Sequence, residues 1–363
     1  MIEIQFERLR SLGLTPVLAA EAAVLSTKEN EFPQLMRLTE VHRDTLRVHD
    51  GCAEIGARLR PRLSRALIDA GSALAVGDWV LVLREGDGSA WVDTRLEPRS
   101  HIIRRDADGR RHPVVSNVDT ALLVMGLDDD FNLRRLERYL ALVEASAVHP
   151  VVVLTKADVA AGSPDRLDAR LAAFRARIPA RIDWFAVDAT QPAAAQVLAP
   201  YLDRGQTIVL LGSSGAGKST LTNTLLGTAT QSTGPVREHD SRGKHTTTSR
   251  SLHCLPGGAC VIDTPGLRTL RLDADEATLG ASFDELQALA AQCRFRDCGH
   301  RNEPGCAVRA GVDADRLRNY QKLLREARRD GLNPLERRQQ VAMWKSRTKS
   351  TRSWMKQKRG EDT

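Results

Sequence analysis

Gly212-Ser213-Ser214-Gly215-Ala216-Gly217-Lys218-Ser219 follows the apolar run Thr207-Ile208-Val209-Leu210-Leu211 and opens an amphipathic stretch at 219–226. The octet fits G-x-x-x-x-G-K-[ST], and a strand before it with a helix after it is the context that gives the pattern meaning. Its glycines let successive backbone N–H groups turn inward around a phosphate at a helix N-terminus. Lys218 would reach the β- and γ-phosphates, the Ser219 hydroxyl would ligate Mg²⁺, and Thr220 completes the phosphate-binding set. The alternative is a Gly-rich turn, which the flanking strand and helix disfavour.

A phosphate loop does not choose its base. Thr155-Lys156-Ala157-Asp158, after the buried run 150–154, fits the [NT]-K-x-D pattern of guanine readers. The Asp158 carboxylate can accept from the ring N–H and the exocyclic amine of guanine, a bidentate pair that adenine does not offer. The Lys156 stem would lie along the base. Asp263-Thr264-Pro265-Gly266 ends another apolar run. There Asp263 would hold magnesium through water and the Gly266 N–H would sense the γ-phosphate. Between these motifs, Gly243-Lys244-His245-Thr246-Thr247-Thr248 reads as a switch in which Thr248 closes over Mg²⁺. The base motif comes about fifty residues before the phosphate loop, the reverse of the ordinary GTPase order. A parallel sheet delivers these loops to one carboxyl edge in any chain order. Leu267 follows the Asp-Thr-Pro-Gly motif, where many GTPases place a water-orienting glutamine, and an apolar side chain cannot orient water. Either His245 does so as a neutral imidazole, or a partner supplies the group.

Outward from this centre, strand–helix alternation runs from about 117, with apolar runs at 119–126, 150–154, 182–187 and 207–211. Asn132 is placed to cap a helix carrying Leu133, Leu136, Leu140 and Val143 on one face, and Ser163-Pro164 to start another with Leu167, Leu171, Phe174 and Ile178. The runs 251–255 and 259–263, joined by Pro256-Gly257-Gly258, predict a hairpin. Upstream, short strands are predicted at 36–41, 45–49, 78–83 and 90–96. Any small β-barrel would fit them, and an OB-fold is the preferred form. Residues 1–34 lack strong periodicity and read as a mobile extension with one short helical stretch.

Cys293-x₄-Cys298-x-His300-x₅-Cys306 supplies three thiolates and an imidazole, the closed set of a structural zinc. Cys52, Cys254 and Cys260 read as ordinary strand residues. The net charge of +7 is unevenly spread: 316–359 holds fifteen Lys/Arg against three Asp/Glu, leaving the remainder at −5. That end, with Trp344 and Trp354 interspersed, is a candidate RNA contact. An aromatic share of 4% argues against a large base-stacking platform. No secretory core follows Met1, no apolar run approaches the roughly 20 residues of a membrane span, and six cysteines do not form a disulfide framework. These features predict a cytoplasmic monomer without membrane or DNA partners.

The run 212–272, in its permuted order, resembles the ribosome small-subunit-dependent GTPases of the RsgA/YjeQ type, and the likeness spans about 35 to 329. The resemblance implies an N-terminal OB domain, a permuted GTPase domain and a zinc domain on the same four ligands. It also implies binding to the small ribosomal subunit and its rRNA late in maturation, with subunit-stimulated hydrolysis. The corresponding division is 1–34 extension, 35–110 OB barrel, 111–275 GTPase, 276–330 zinc domain and 331–363 basic tail. The sequence departs from the family at Ala186-Val187-Asp188-Ala189-Thr190, which lacks the usual Ser-Ala pair. An RNA-binding scaffold with a nucleotide latch and negligible turnover is the alternative from another class, and an ATP-dependent P-loop enzyme is a third.

Overall fold

Parallel strands covered on both faces must be apolar at every position, and the runs around the phosphate loop have that character. The computed structural model describes residues 4–25, 33–42, 45–105, 110–227, 250–265, 271–272 and 276–331. The chain divides into two compact units after Leu272.

The first unit opens with helices α1 (Phe6–Arg10) and α2 (Pro16–Leu25). Strands β1 (Gln34–Val41), β2 (Leu46–His49) and β3 (Glu54–Leu59), helix α3 (Pro61–Asp69), then β4 (Trp79–Arg84) and β5 (Ala90–Arg95) follow. Their order is β1-β2-β3-β5-β4, and β4 pairs back onto β1, so the sheet closes as a five-stranded OB barrel. Met36, Leu38, Val48, Val80, Val82 and Val92 fill it. β3 is absent from the sequence expectation because it buries only Ala57 and carries Gly56, and α3 after it is absent from that expectation too. Cys52 lies in the bend between β2 and β3, outside any strand.

β6 (His101–Arg105) and β7 (Arg111–Ser116) form a hairpin. The nucleotide-binding layout then runs β8 (Thr120–Gly126), α4 (Leu133–Ala145), β9 (His149–Thr155), α5 (Ala157–Ala161), α6 (Pro164–Arg175), β10 (Asp183–Ala186), α7 (Ala193–Leu198), β11 (Thr207–Gly212) and α8 (Lys218–Leu226). It ends with β12 (Ser251–Cys254), β13 (Cys260–Asp263) and β14 (Arg271–Leu272), the last pairing with β6. Asn132 caps α4 as expected, its side chain accepting from the Arg135 N–H at 3.0 Å. Ser163 precedes α6, but its side chain makes no capping bond.

The strands β10-β9-β8-β11-β13 run parallel, and β12 returns antiparallel beside β13. Leu122, Val124, Val153, Leu210 and Val261 pack on one face of this sheet with Leu221 and Leu225 of α8. β12 also pairs with β1 through Glu40 and Ser251, so barrel and nucleotide sheet form one continuous eleven-stranded sheet.

The N-terminal residues correct the sequence reading. Two helices stand where one was expected, and Leu9, Leu12, Leu14 and Leu18 are all buried. A buried Arg37 ties this segment down, donating to the Leu12 carbonyl, to Thr207 Oγ1 at 2.8 Å and to the Asn117 carbonyl at 2.8 Å. Such a link between residues distant in sequence leaves no local periodicity to read.

The second unit, described over 276–331, is helical: α9 (Glu276–Ala281), α10 (Asp284–Ala290), α11 (Ala307–Gly311) and α12 (Ala314–Gly331). Leu279, Phe283, Leu286, Val308, Leu317 and Leu323 are among its buried apolar residues. No described helix is long and apolar enough to cross a membrane.

Candidate functional site

Because β8, β9, β11 and β13 are parallel, their C-terminal ends reach one edge of the sheet. The phosphate loop leaves β11 at Gly212 and enters α8 at Lys218. Gly217 stands at φ +92°, a left-handed conformation that an L side chain resists, and a Cβ there would meet Thr155 Oγ1 at 3.2 Å. The Thr155 hydroxyl itself donates to the Ala216 carbonyl at 2.6 Å and is buried. Two segments sixty-one residues apart are therefore joined by a direct bond.

Beside this joint, Lys156 takes φ +60° as it turns from β9 into α5. A lysine held there stores backbone strain of the kind found at ligand-handling loops. Asp158 follows in the first turn of α5 with its side chain exposed to solvent. Ala157 N–H donates to the Val187 carbonyl, and Thr224 of α8 donates to the Ala189 carbonyl at 2.6 Å. Asp188 accepts from the Thr190 N–H at 2.9 Å and from its hydroxyl at 2.7 Å. The segment lacking the Ser-Ala pair is thus fixed between the base motif and the phosphate-loop helix.

Lys218 is buried, and its ammonium donates to the carbonyls of Gly212 at 3.1 Å and Ser213 at 2.7 Å. Burial lowers its pKa, with Asp263 and Asp130 opposing that effect. Asp263, at the end of β13, is fully buried, and neither carboxylate oxygen has a hydrogen-bond partner among the described residues. Burial pushes its pKa up to about 6, while nearby Lys218 pulls it down. A buried carboxylate beside a phosphate loop suits a hard divalent cation with its water shell, so the residues fit Mg²⁺. Thr264 next to it anchors the strand end by donating to the Leu210 carbonyl at 2.7 Å.

The loop after β8 also reaches this site. Ser213 donates to Asp130 at 2.5 Å, and the Lys156 ammonium meets Asp128 at 2.7 Å. Neither aspartate was a sequence candidate: a run of three acids after a strand reads as a solvated turn. Gly266, His245, Thr248 and the tail beyond 331 lie outside the described residues.

In the second unit the ligand atoms of Cys293, Cys298, His300 and Cys306 all lie within 4.8 Å of one another. Cys293 Sγ and Cys306 Sγ are 4.0 Å apart, and His300 Nδ1 is 3.7 and 3.5 Å from them. A tetrahedral zinc with Zn–S near 2.3 Å needs edges of about 3.8 Å, so the four groups fit that ion with no open position. His300 adopts φ +54°, and its carbonyl accepts from Gln321 of α12 at 2.9 Å. The cluster is thereby fastened to the longest described helix of the unit.

A parallel sheet with phosphate loop and base motif joined at one edge, base motif first in the chain, defines a circularly permuted P-loop GTPase. A family model described as RsgA GTPase matches residues 96–273. The small ribosomal subunit biogenesis GTPase RsgA of Xanthomonas oryzae pv. oryzae is 45% identical over 335 residues, covering 89% of each chain. Its counterpart from Xanthomonas campestris pv. campestris is 48% identical over 296 residues, covering 79% of each. The chain belongs to the RsgA family of GTPases. Among solved structures, YjeQ from Thermotoga maritima matches with a TM-score of 0.59 at 23% identity, over 83% of this chain and 100% of that one. YloQ, a circularly permuted GTPase, matches at 0.55 and 22%, over 85% and 100%. These two likenesses show the fold.

Proposed function

We propose that this GTPase acts in biogenesis of the small ribosomal subunit, binding the subunit and its rRNA and coupling GTP hydrolysis to a conformational change or the release of a factor. The observation that carries the nucleotide half is the Thr155–Ala216 bond, which fastens the base motif to the phosphate loop so that one bound molecule can meet both. The names of the curated relatives carry the ribosomal half.

In this reading Gly212, Ser213, Ser214, Gly215, Ala216, Gly217, Lys218, Ser219 and Thr220 bind the phosphates. Thr155, Lys156, Ala157 and Asp158 hold guanine. Ser219, Thr248 and Asp263 hold Mg²⁺, Gly266 senses the γ-phosphate, and Cys293, Cys298, His300 and Cys306 hold one structural zinc. Magnesium, when bound, neutralises charge developing between the β- and γ-phosphates. Lys218 does the same from the protein side, donating to phosphate oxygens in place of its own loop carbonyls. Leu267 cannot orient water, so turnover by the free protein is slow. His245 is the residue assigned to align the water once a subunit is bound. Completing such a charge-stabilising set is worth about 10³–10⁵ in rate. The chain runs from Asp263 into the zinc module at 276–330 over thirteen residues, so loss of the γ-phosphate could act on that module through this segment. The domain division at 35, 111, 276 and 331 belongs to the same proposal.

Multiple-turnover phosphate release with and without isolated small subunits tests the function. Stimulation that His245→Ala removes while GTP affinity stays within about twofold of the parent is the expected result. Negligible release in both conditions, with nucleotide-dependent pelleting on subunits retained, would favour the scaffold reading. Unchanged stimulation in His245→Ala removes the assignment of that residue.

A further inference from the structure

The loop 127–131 between β8 and α4 makes more polar contacts at the nucleotide edge than a connecting turn requires. Asp128 takes the Lys156 ammonium on one oxygen at 2.7 Å and the Asp130 N–H on the other at 3.2 Å. Asp130 accepts from the Ser213 hydroxyl at 2.5 Å and from the Gly126 N–H at 3.2 Å, and it pairs with Arg135. Asp129 pairs with Arg166 at 2.6 Å. Arg170 donates to the Leu127 carbonyl and lies over the Phe131 ring at 5.6 Å. The loop is therefore fixed from α4 and α6 without help from a nucleotide, and it touches the base motif at one end and the phosphate loop at the other.

We propose that Asp128 is a positioning residue for guanine nucleotides: it holds the Lys156 ammonium at the site's rim so that the lysine stem is laid out along the base before the nucleotide arrives. The inference rests on the reading of Lys156 as part of the base site. An unheld lysine samples many rotamers, and binding must then freeze them. A lysine already tied at its tip has lost that freedom in the free protein, so affinity rises through preorganisation with no added contact to the ligand. An exposed ion pair on its own would be worth little. This one is half-buried on both sides, and the Asp128 carboxylate is gripped by backbone as well as ammonium. Burial alone would raise the pKa of Asp128, yet these donors hold it below the ordinary carboxylate value. Gly126 contributes by lacking a side chain, because a Cβ there would stand 2.3 Å from Asp128 Oδ1.

The test is a double-mutant cycle on the full-length protein, using fluorescent GDP and GTP as probes. Asp128→Asn and Lys156→Ala should each weaken both nucleotides by about tenfold, the scale of one immobilised lysine, with the GTP:GDP preference unchanged. The double variant should be no weaker than Lys156→Ala, and Asp128→Glu should recover part of the loss. Gly126→Ala, which moves the carboxylate without removing it, should weaken binding in the same direction even if Asp128→Asn folds poorly. Losses that add in the double variant, or wild-type affinity in Asp128→Asn, overturn the proposal. The base-site reading is checked separately by the base preference of Asp158→Asn. If that variant exchanges guanine for xanthine while the cycle is additive, only the role of Asp128 falls.

Discussion

A fully buried carboxylate is costly to keep charged, and Asp263 is such a group. Its folded pKa of about 6 lies above the ordinary 3.8, so the folded protein holds that proton more tightly than the unfolded chain. Stability is therefore lost as pH rises from about 4 to 6 and stays lost above 6. In nucleotide-free protein without magnesium, Asp263→Asn should be more stable than the parent above pH 6, by an amount on the order of 2–3 kcal/mol. Melting curves from pH 4 to 8 should show this gap closing as pH falls toward 4, and a gap independent of pH contradicts the argument. Thr155 supplies a second case at this scale. Thr155→Val keeps the shape but leaves the buried Ala216 carbonyl without its donor, which costs about 1–3 kcal/mol. Denaturant midpoints should fall accordingly, and GTP and GDP should both bind more weakly. The motif residues were legible because their chemistry is local. Asp128 and Asp130 were hidden because their value lies in contacts to Lys156 and Ser213, far away in the chain.

At the scale of elements, legibility follows burial pattern. β8, β9 and β11 bury nearly every residue, and their apolar runs stand out in the sequence. β3 buries a single residue, and its alternation is too weak to announce a strand. α2 carries apolar residues on all sides and buries only Leu18 and Ala22, so no helical stripe marks it. The Cys/His cluster was readable for a different reason, since three cysteines and a histidine within fourteen positions are a chemical signature independent of hydrophobic pattern. A unit in which three of the four described helices have seven residues or fewer has little core of its own, and metal binding worth about 10–16 kcal/mol in comparable peptides would dominate its stability. The purified protein should hold one zinc per chain by elemental analysis. Chelation, or Cys298→Ser, should lower helical circular dichroism and expose 276–331 to protease while GDP binding persists. Full protease resistance after the zinc is removed would deny the metal its structural role.

Across the whole molecule, the sequence suggested a barrel followed by a separate nucleotide domain, whereas β1 joins β12 in one sheet and Arg37 bridges both to the N-terminal segment. Such joints come from a single ladder contact and one buried cation, which leave no trace in composition or spacing. The charge asymmetry, by contrast, was plain: a chain of net +7 concentrates its excess beyond 316. If that end grips rRNA, affinity for small subunits should drop by about tenfold or more between 50 and 200 mM salt. Truncation after 331 should flatten the dependence, measured by pelleting at several salt concentrations.

The proposed GTPase site depends on a base-reading loop and a phosphate loop meeting around one guanine nucleotide. Replacing Asp158 by Asn removes the carboxylate proposed to accept from guanine and supplies an amide that can donate to the 2-oxo group of xanthine. Titrating parent and variant with GTP and xanthosine triphosphate should show the preference reversing, by about a hundredfold or more across the pair, since each charge-assisted bond is worth roughly 1.5–3 kcal/mol. A variant that still prefers GTP as strongly as its parent would place the base somewhere other than Asp158 and contradict the account.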